Sequence, residues 1–248
     1  MQANKSLEID VFDSEEDVAE AVAQEVLDLV SRNPKAKISF PTGSTLQKAY
    51  GLLREKAKLG QFSLKQAEVF LLDEYVGLEK GSKDSYLNFI IDEIQIPCGL
   101  PIDSLHHPDV FSKDLDQASD DYENLIASVG GLDLQILGIG TNGHIGFNEP
   151  GTSFESKTRV TELTVQTRVA NSKYFGNDVD SVPKLAITQG LSTILSAKKI
   201  IMVATAPSKA VAVKRLLEGV QTEDLPASAL LSHEKTRVIL DRLLHTGD

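Results

Sequence analysis

The sequence has one cysteine, Cys98, so no disulfide can form within the chain, which fits a reducing compartment. It has no apolar run approaching the roughly 20 residues that a membrane helix needs. Its first residues, Met1 to Asp10, lack the basic stretch and apolar core of a secretory leader. Those absences lead us to expect a cytoplasmic protein with no membrane partner. Positive charge is scarce too: 25 Lys and Arg stand against 36 Asp and Glu, for a formal net charge of −11. A nucleic-acid partner would demand a basic face, so none is expected. A small phosphorylated ligand stays open, because it needs only a few local donors.

What is present is an ordinary globular composition, 41% hydrophobic and 25% charged. A chain of this size can bury about three quarters of its unfolded surface and needs no disulfides to fold. Leu7–Phe12 alternates apolar and polar residues and reads as a strand. Ser14-Glu15-Glu16-Asp17 resembles a capping box, and apolar residues then follow at helical spacing until Asn33-Pro34. Lys37–Phe40 reads as a strand running into Pro41-Thr42-Gly43-Ser44-Thr45, with a helix from about Thr45 to Lys58. Val69–Leu72 is an apolar strand that closes on Asp73-Glu74. Helices are expected at about Ser85–Ile94 and Asp114–Val129, the second stopped by Gly130-Gly131.

Leu132–Ile139 is another buried strand, and Thr158–Val165 alternates as an excursion beside the sheet. Pro183 opens an expected helix ending near Ala197. Ile200–Ala204, Pro207–Glu218 and Arg237–Leu240 complete a strand, a helix and a last strand. There is no internal repeat or linker. Strands apolar on both faces, alternating with helices, predict one α/β domain over residues 1–248. We expect a doubly wound, mostly parallel sheet with helices on both faces, Rossmann-like.

In such sheets ligands bind outside the carboxyl ends of the strands, and three unusual segments fall there. Thr42, Gly43, Ser44 and Thr45 join a strand to a helix start. Glycine lets the backbone approach a ligand, the hydroxyls donate, and the helix amino end favours an anion. The same residues also suit a capped turn without a ligand. Asp73 and Glu74 end an apolar strand. A carboxylate there can be desolvated into the range of a general base, or can cap a turn while its neighbour is solvated. In the stretch Gly138–Gly151, which holds Asn142, His144 and Glu149, four glycines fall within the first nine residues. The Gly-x-Gly start lacks the clean helix and later acidic residue of a dinucleotide site. An imidazole and a carboxylate five residues apart suit a proton shuttle and its orienting acid. With no second histidine or cysteine nearby, no metal is expected there. His106-His107 reads as a solvated turn. Arg168, Lys173 and Lys209 are the cations that can meet a phosphate. Lys209 opposes the macrodipole of its helix, which hints at an anion, though a solvated lysine looks the same.

Phe40–Thr45, the run Leu72-Asp73-Glu74-Tyr75-Val76-Gly77-Leu78, Gly138–Gly151, Thr167–Phe175 and Val182-Pro183 together resemble the glucosamine-6-phosphate deaminases, in order from about residue 36 to 235. The resemblance implies cofactor-free conversion of glucosamine-6-phosphate to fructose-6-phosphate and ammonia in amino-sugar catabolism. It implies that His144, oriented by Asn142 and Glu149, opens the pyranose, and that Asp73 carries a proton from C2 to C1. Thr42–Thr45, Lys173 and Lys209 would hold the phosphate.

Three positions depart from the family pattern. Asn142 stands where many members carry aspartate, and Lys173 stands where arginine is common. Thr161 replaces a lysine of allosterically activated members, although Thr152 and Arg159 of that effector site remain. The sequence also stops soon after Leu240, where those members run on. Hyperbolic kinetics and a monomer are therefore expected. A 6-phosphogluconolactonase would share the fold but needs no acceptor for a C2 proton. A sugar-responsive repressor would need a DNA-binding helix pair and a basic face.

Overall fold

The computed structural model describes residues 7–242 and 244. The reading of the leader therefore lies partly outside the described residues.

Strand β1 (Glu8–Phe12) is followed by helix α1 (Glu15–Arg32), whose amino end is capped by Ser14 accepting the Asp17 N–H at 3.1 Å. Three acidic residues in its first turn complement the macrodipole. Strand β2 (Lys37–Phe40) leads to α2 (Ser44–Lys58), and β3 (Glu68–Leu71) leads to β4 (Asp73–Val76). Next come α3 (Tyr86–Ile90), a wider π turn (Ile91–Gln95) and α4 (Ile96–Cys98). The wide turn lies just before Pro97, which has no N–H to give the α-helical ladder. Strand β5 (Leu105–His106), α5 (Leu115–Ser128), β6 (Leu134–Gly138) and β7 (Arg159–Glu162) follow. The chain continues through α6 (Val165–Asn171), β8 (Leu185–Thr188), α7 (Leu191–Leu195), β9 (Ile200–Ala204), α8 (Ala210–Leu217) and β10 (Thr236–Asp241).

Seven strands form one parallel sheet in the order β1-β10-β9-β6-β2-β3-β5. Its two faces are covered by different helices. Val18, Val22, Val26, Leu46, Leu53 and Ile94, from α1, α2 and the π turn, pack with Ile38, Val69 and Ile136. On the other face Tyr122 and Ile126 of α5, Ile194 of α7 and Leu216 of α8 pack with Phe70, Leu137 and Met202. The doubly wound architecture is the one expected.

Two expected elements differ. Leu185–Thr188 is a strand and not the start of a helix. It lies between β4 and β7 in a second, three-stranded antiparallel sheet. Pairing on both sides, with Ala186 and Ile187 fully buried, overrides local helix preference. The helix begins only after Gly190, where a Cβ would lie 2.2 Å from the Ser156 carbonyl oxygen. The excursion at β7 belongs to this second sheet. His106 is likewise not in a solvated turn. It lies on the edge strand β5, with its ring 4.5 Å from that of Phe70 and Nε2 2.9 Å from Glu68.

Candidate active site

From β2 the chain steps outward through β3 to β5. It then returns to β6 on the other side of β2 and steps outward again through β9 to β10. The order thus reverses between β2 and β6, the place where a doubly wound sheet opens a crevice. A cavity of about 510 Å³ lies there. Thr42, Gly43, Ser44, Thr45, Asp73, His144, Lys173 and Lys209 all line it. Asn142 and Glu149 stand behind His144, out of the lining. Arg168 does not belong: its guanidinium donates to the carbonyl oxygens of Val179 and Val182 and so ties down a loop.

The Thr42–Thr45 segment turns at Gly43, whose φ of +133° strains any side-chain-bearing residue. Unlike α1, α2 has neither a side-chain cap nor an acidic residue in its first turn. Its positive end is left open toward the cavity. Lys209 is half-buried, and burial together with the nearby charge of Lys173 pulls its pKa down. Two lysines that repel each other favour an anion between them. Lys173 also rests over the Tyr174 ring, 4.8 Å from its centroid.

Asp73 opens β4, pinned opposite Thr188, and is 7% exposed. Burial, reinforced by the Glu74 carboxylate, pushes its pKa up to about 8. Gly146 lets the loop after β6 pass close by, since a Cβ there would lie 3.4 Å from Asp73 Oδ2 and 3.0 Å from Thr188 Oγ1. Glu74 is not solvated. Its carboxylate accepts the N–H groups of Tyr75 at 2.8 Å, Tyr86 at 3.0 Å and Leu87 at 2.7 Å. Burial raises its pKa while those donors oppose the rise. It faces α3 and not the cavity, so of the two adjacent carboxylates Asp73 alone lines the crevice.

The histidine loop forms a relay. Asn142 Nδ2 donates to Glu149 Oε2 at 2.7 Å, so its Oδ1 is turned to His144 Nδ1, also at 2.7 Å. In neutral His144, Nδ1 then carries the proton and Nε2 is free to exchange one with a ligand. The imidazole lies over Gly140, where any Cβ would fall 2.2 Å from the ring. His144 Nδ1 is 3.6 Å from Glu149 Oε2, a charge contact and not a hydrogen bond. Burial pushes the Glu149 pKa up. The His144, Thr167 and Asn142 contacts outweigh it and hold the group at about 2.

Several contributors escape sequence reasoning. Thr167 donates its hydroxyl to Glu149, a role with no signal beyond its spacing from Thr164. The Tyr75 phenol receives Asn171 Nδ2 at 2.8 Å and the Tyr86 hydroxyl at 3.1 Å, joining α6 to the cavity wall. Lys83, in a polar loop, adds a third cation to the lining. A desolvated base, an oriented imidazole and a cationic end fit proton transfer on a small anionic substrate.

A family model described as glucosamine-6-phosphate isomerases/6-phosphogluconolactonase matches residues 11–240. A glucosamine-6-phosphate deaminase of Streptomyces avermitilis is 42% identical over 224 residues, covering 90% of this chain and 84% of the relative. One from Rhodopirellula baltica is 40% identical, covering 95% of this chain and 93% of the relative. Among solved structures, a glucosamine-6-phosphate deaminase described as monomeric superposes with a TM-score of 0.94 at 38% identity, covering 97% of this chain and 99% of its own. A 6-phosphogluconolactonase of Trypanosoma cruzi shares the fold, with a TM-score of 0.79 at 19% identity, covering 98% of this chain and 97% of its own.

Proposed function

The chain belongs to the glucosamine-6-phosphate isomerase/6-phosphogluconolactonase family, and within it we propose that it is a glucosamine-6-phosphate deaminase, yielding fructose-6-phosphate and ammonia. The reading rests on relatives of that name about 40% identical over most of the chain. The observation that carries the chemistry is Asp73, a carboxyl group 7% exposed on the wall of the crevice, whose pKa burial pushes up. A lactone hydrolase has no use for such an acceptor.

The substrate binds with its phosphate against the α2 amino end, Lys173 and Lys209, far from the bonds that change. That fixed end converts proton transfer into a positioned, effectively unimolecular event. His144 Nε2 takes the proton of the anomeric hydroxyl and returns it to the ring oxygen, which opens the pyranose. The Asn142–Glu149 relay keeps the imidazole turned correctly and steadies its charged form. Asp73 then removes the C2 proton, and with a proton taken up by the C1 carbonyl oxygen the product is an enolamine. Asp73 delivers its proton to C1, which turns the enolamine into a ketimine at C2; water adds there, and ammonia leaves. The steps need only proton transfers and one water. Asn142 is neutral, so the negative charge facing His144 comes from Glu149 alone.

Oligomeric state and regulation belong to the same proposal. A monomer is supported by the likeness to the monomeric deaminase. Arg159 is already engaged, with Nη1 2.9 Å from Asn148 Oδ1 and Nη2 3.4 Å from Thr152 Oγ1. With Thr161 beside it in place of a cation, no activation by N-acetylglucosamine-6-phosphate is expected. A phosphorylated sugar as substrate suits the cytoplasmic location read from the sequence. Among the described residues no helix is long and apolar enough to cross a membrane.

The test is direct: purified protein incubated with glucosamine-6-phosphate should release ammonia and fructose-6-phosphate in equal amounts. Folded protein that releases neither contradicts the assignment.

A further inference from the structure

Glu149 has two sides. Its Oε2 faces the catalytic loop, 2.7 Å from Asn142 Nδ2 and 3.6 Å from His144 Nδ1. Its Oε1 faces α6, an element from a different part of the chain. There the Thr167 hydroxyl donates to it, and the Thr164 hydroxyl lies 3.3 Å away. The two threonines are themselves linked. Thr164 Oγ1 accepts the Thr167 N–H at 3.1 Å and donates to Thr167 Oγ1, also at 3.1 Å. With its own acceptor site filled by Thr164, the Thr167 hydroxyl has its proton directed at Glu149. Thr167 is 4% exposed although it lines the cavity, so the donor is largely shielded from bulk water.

We infer that Thr167 is a positioning residue: its hydroxyl clamps one oxygen of Glu149, so that the other is held on Asn142 and, through it, on His144. The inference deepens the proposed mechanism and rests on His144 acting as the group that opens the ring. A carboxylate gripped from one side only would be free to rotate about its last bond, and Asn142 would lose its fixed acceptor. The amide could then turn, presenting Nδ2 to the imidazole and cancelling the tautomer that leaves Nε2 open. The charged groups facing this carboxylate are few. Among the described residues His144 is the one in contact, and Arg159 on β7 is bonded instead to Asn148 and Thr152. The Thr167 donor therefore weighs heavily in keeping Glu149 ionised. The same helix ends at Asn171, bonded to Tyr75, and leads directly to Lys173 in the cavity lining. One element thus steadies the histidine relay and carries a phosphate cation.

The test pairs Thr167→Val, which keeps the shape and removes the donor, with Thr167→Ser, which keeps the donor. Thr167→Ala is the second donor-free variant, should valine disturb folding. The first readout needs no substrate: carbon-13 NMR of the Glu149 side-chain carboxyl during a pH titration. Its midpoint should move upward from about 2 in the valine and alanine variants and stay near the wild-type position in the serine variant. The second readout is ammonia release. Loss of a hydrogen bond to a charged group should lower kcat about tenfold or more, with KM within about twofold. Serine should restore both readouts. An unmoved Glu149 titration overturns the inference. So does an equal loss in the serine and valine variants, or a loss confined to KM. If wild-type protein releases no ammonia, the deaminase reading falls, while the NMR titration still decides whether Thr167 clamps Glu149.

Discussion

Asp73 and Lys209 carry charge where the chain has removed water, and both titrate away from their ordinary values for that reason. For Asp73 the consequence has two signs. As a base it must be ionised, so kcat/KM of the free enzyme should rise with pH up to about 8 and level off above it. As a folded-state group it binds a proton more tightly than in the unfolded chain, where its value is 3.8. Its contribution to stability is therefore full below that value and lost as pH rises through about 8. Asp73→Asn should then melt higher than wild type at pH 9, by several degrees at about 2–4 °C per kcal/mol, and equal to it near pH 4. A thermal melt at the two pH values checks this. Lys209→Ala should raise KM strongly and change kcat less, because a distant phosphate anchor serves ground and transition states alike. Steady-state kinetics showing kcat falling as far as kcat/KM would remove Lys209 from that role. Lys209 was visible in the sequence as a charge opposing a helix dipole. Arg168, with an equally plausible address, was not distinguishable from it until its two carbonyl partners were seen.

At the scale of elements, β4 and α3 are joined through Glu74. Its three backbone donors make it the clamp that sets where Asp73 leaves the central sheet and where α3 begins. Glu74→Gln would turn an amide N–H₂ toward at least one of those donors. The expected cost is about 2–4 kcal/mol, measured by urea unfolding, with a far smaller loss of turnover than in Asp73→Asn. Unchanged stability would contradict the clamp. The central strands were legible because Lys37–Phe40, Val69–Leu72 and Ile200–Ala204 are short apolar runs between clear turn signals. The second sheet was not. Asp73-Glu74 is poor strand material, and Leu185–Thr188 after a proline looks like a helix start. Both become strands only because each supplies the other's missing partners. Thr167 was hidden for a similar reason: its function exists only once α6 lies against the loop after β6.

On the scale of the whole molecule, the reversal of strand order between β2 and β6 gathers segments far apart in sequence around one crevice. The three motif-bearing segments were recognisable as lying at strand carboxyl ends. Their meeting at one switch point required the strand order, which local periodicity does not encode. With Arg159 turned to Asn148 and Thr152, initial rates against glucosamine-6-phosphate should be hyperbolic and shift by less than a few-fold with N-acetylglucosamine-6-phosphate. Sigmoidal rates that the effector straightens would show a working regulatory site. Light scattering should give the mass of one 27.0 kDa chain.

The reaction turns on one proton, and exchange of the substrate's C2 hydrogen in deuterated water, followed by NMR, reads it directly. Wild-type protein should exchange it while releasing ammonia. Asp73→Asn should still bind the sugar phosphate yet lose exchange and ammonia together, by about 10²–10⁴-fold. Near-normal C2 exchange in that variant would contradict the account, because another group, and not Asp73, would then be taking the proton.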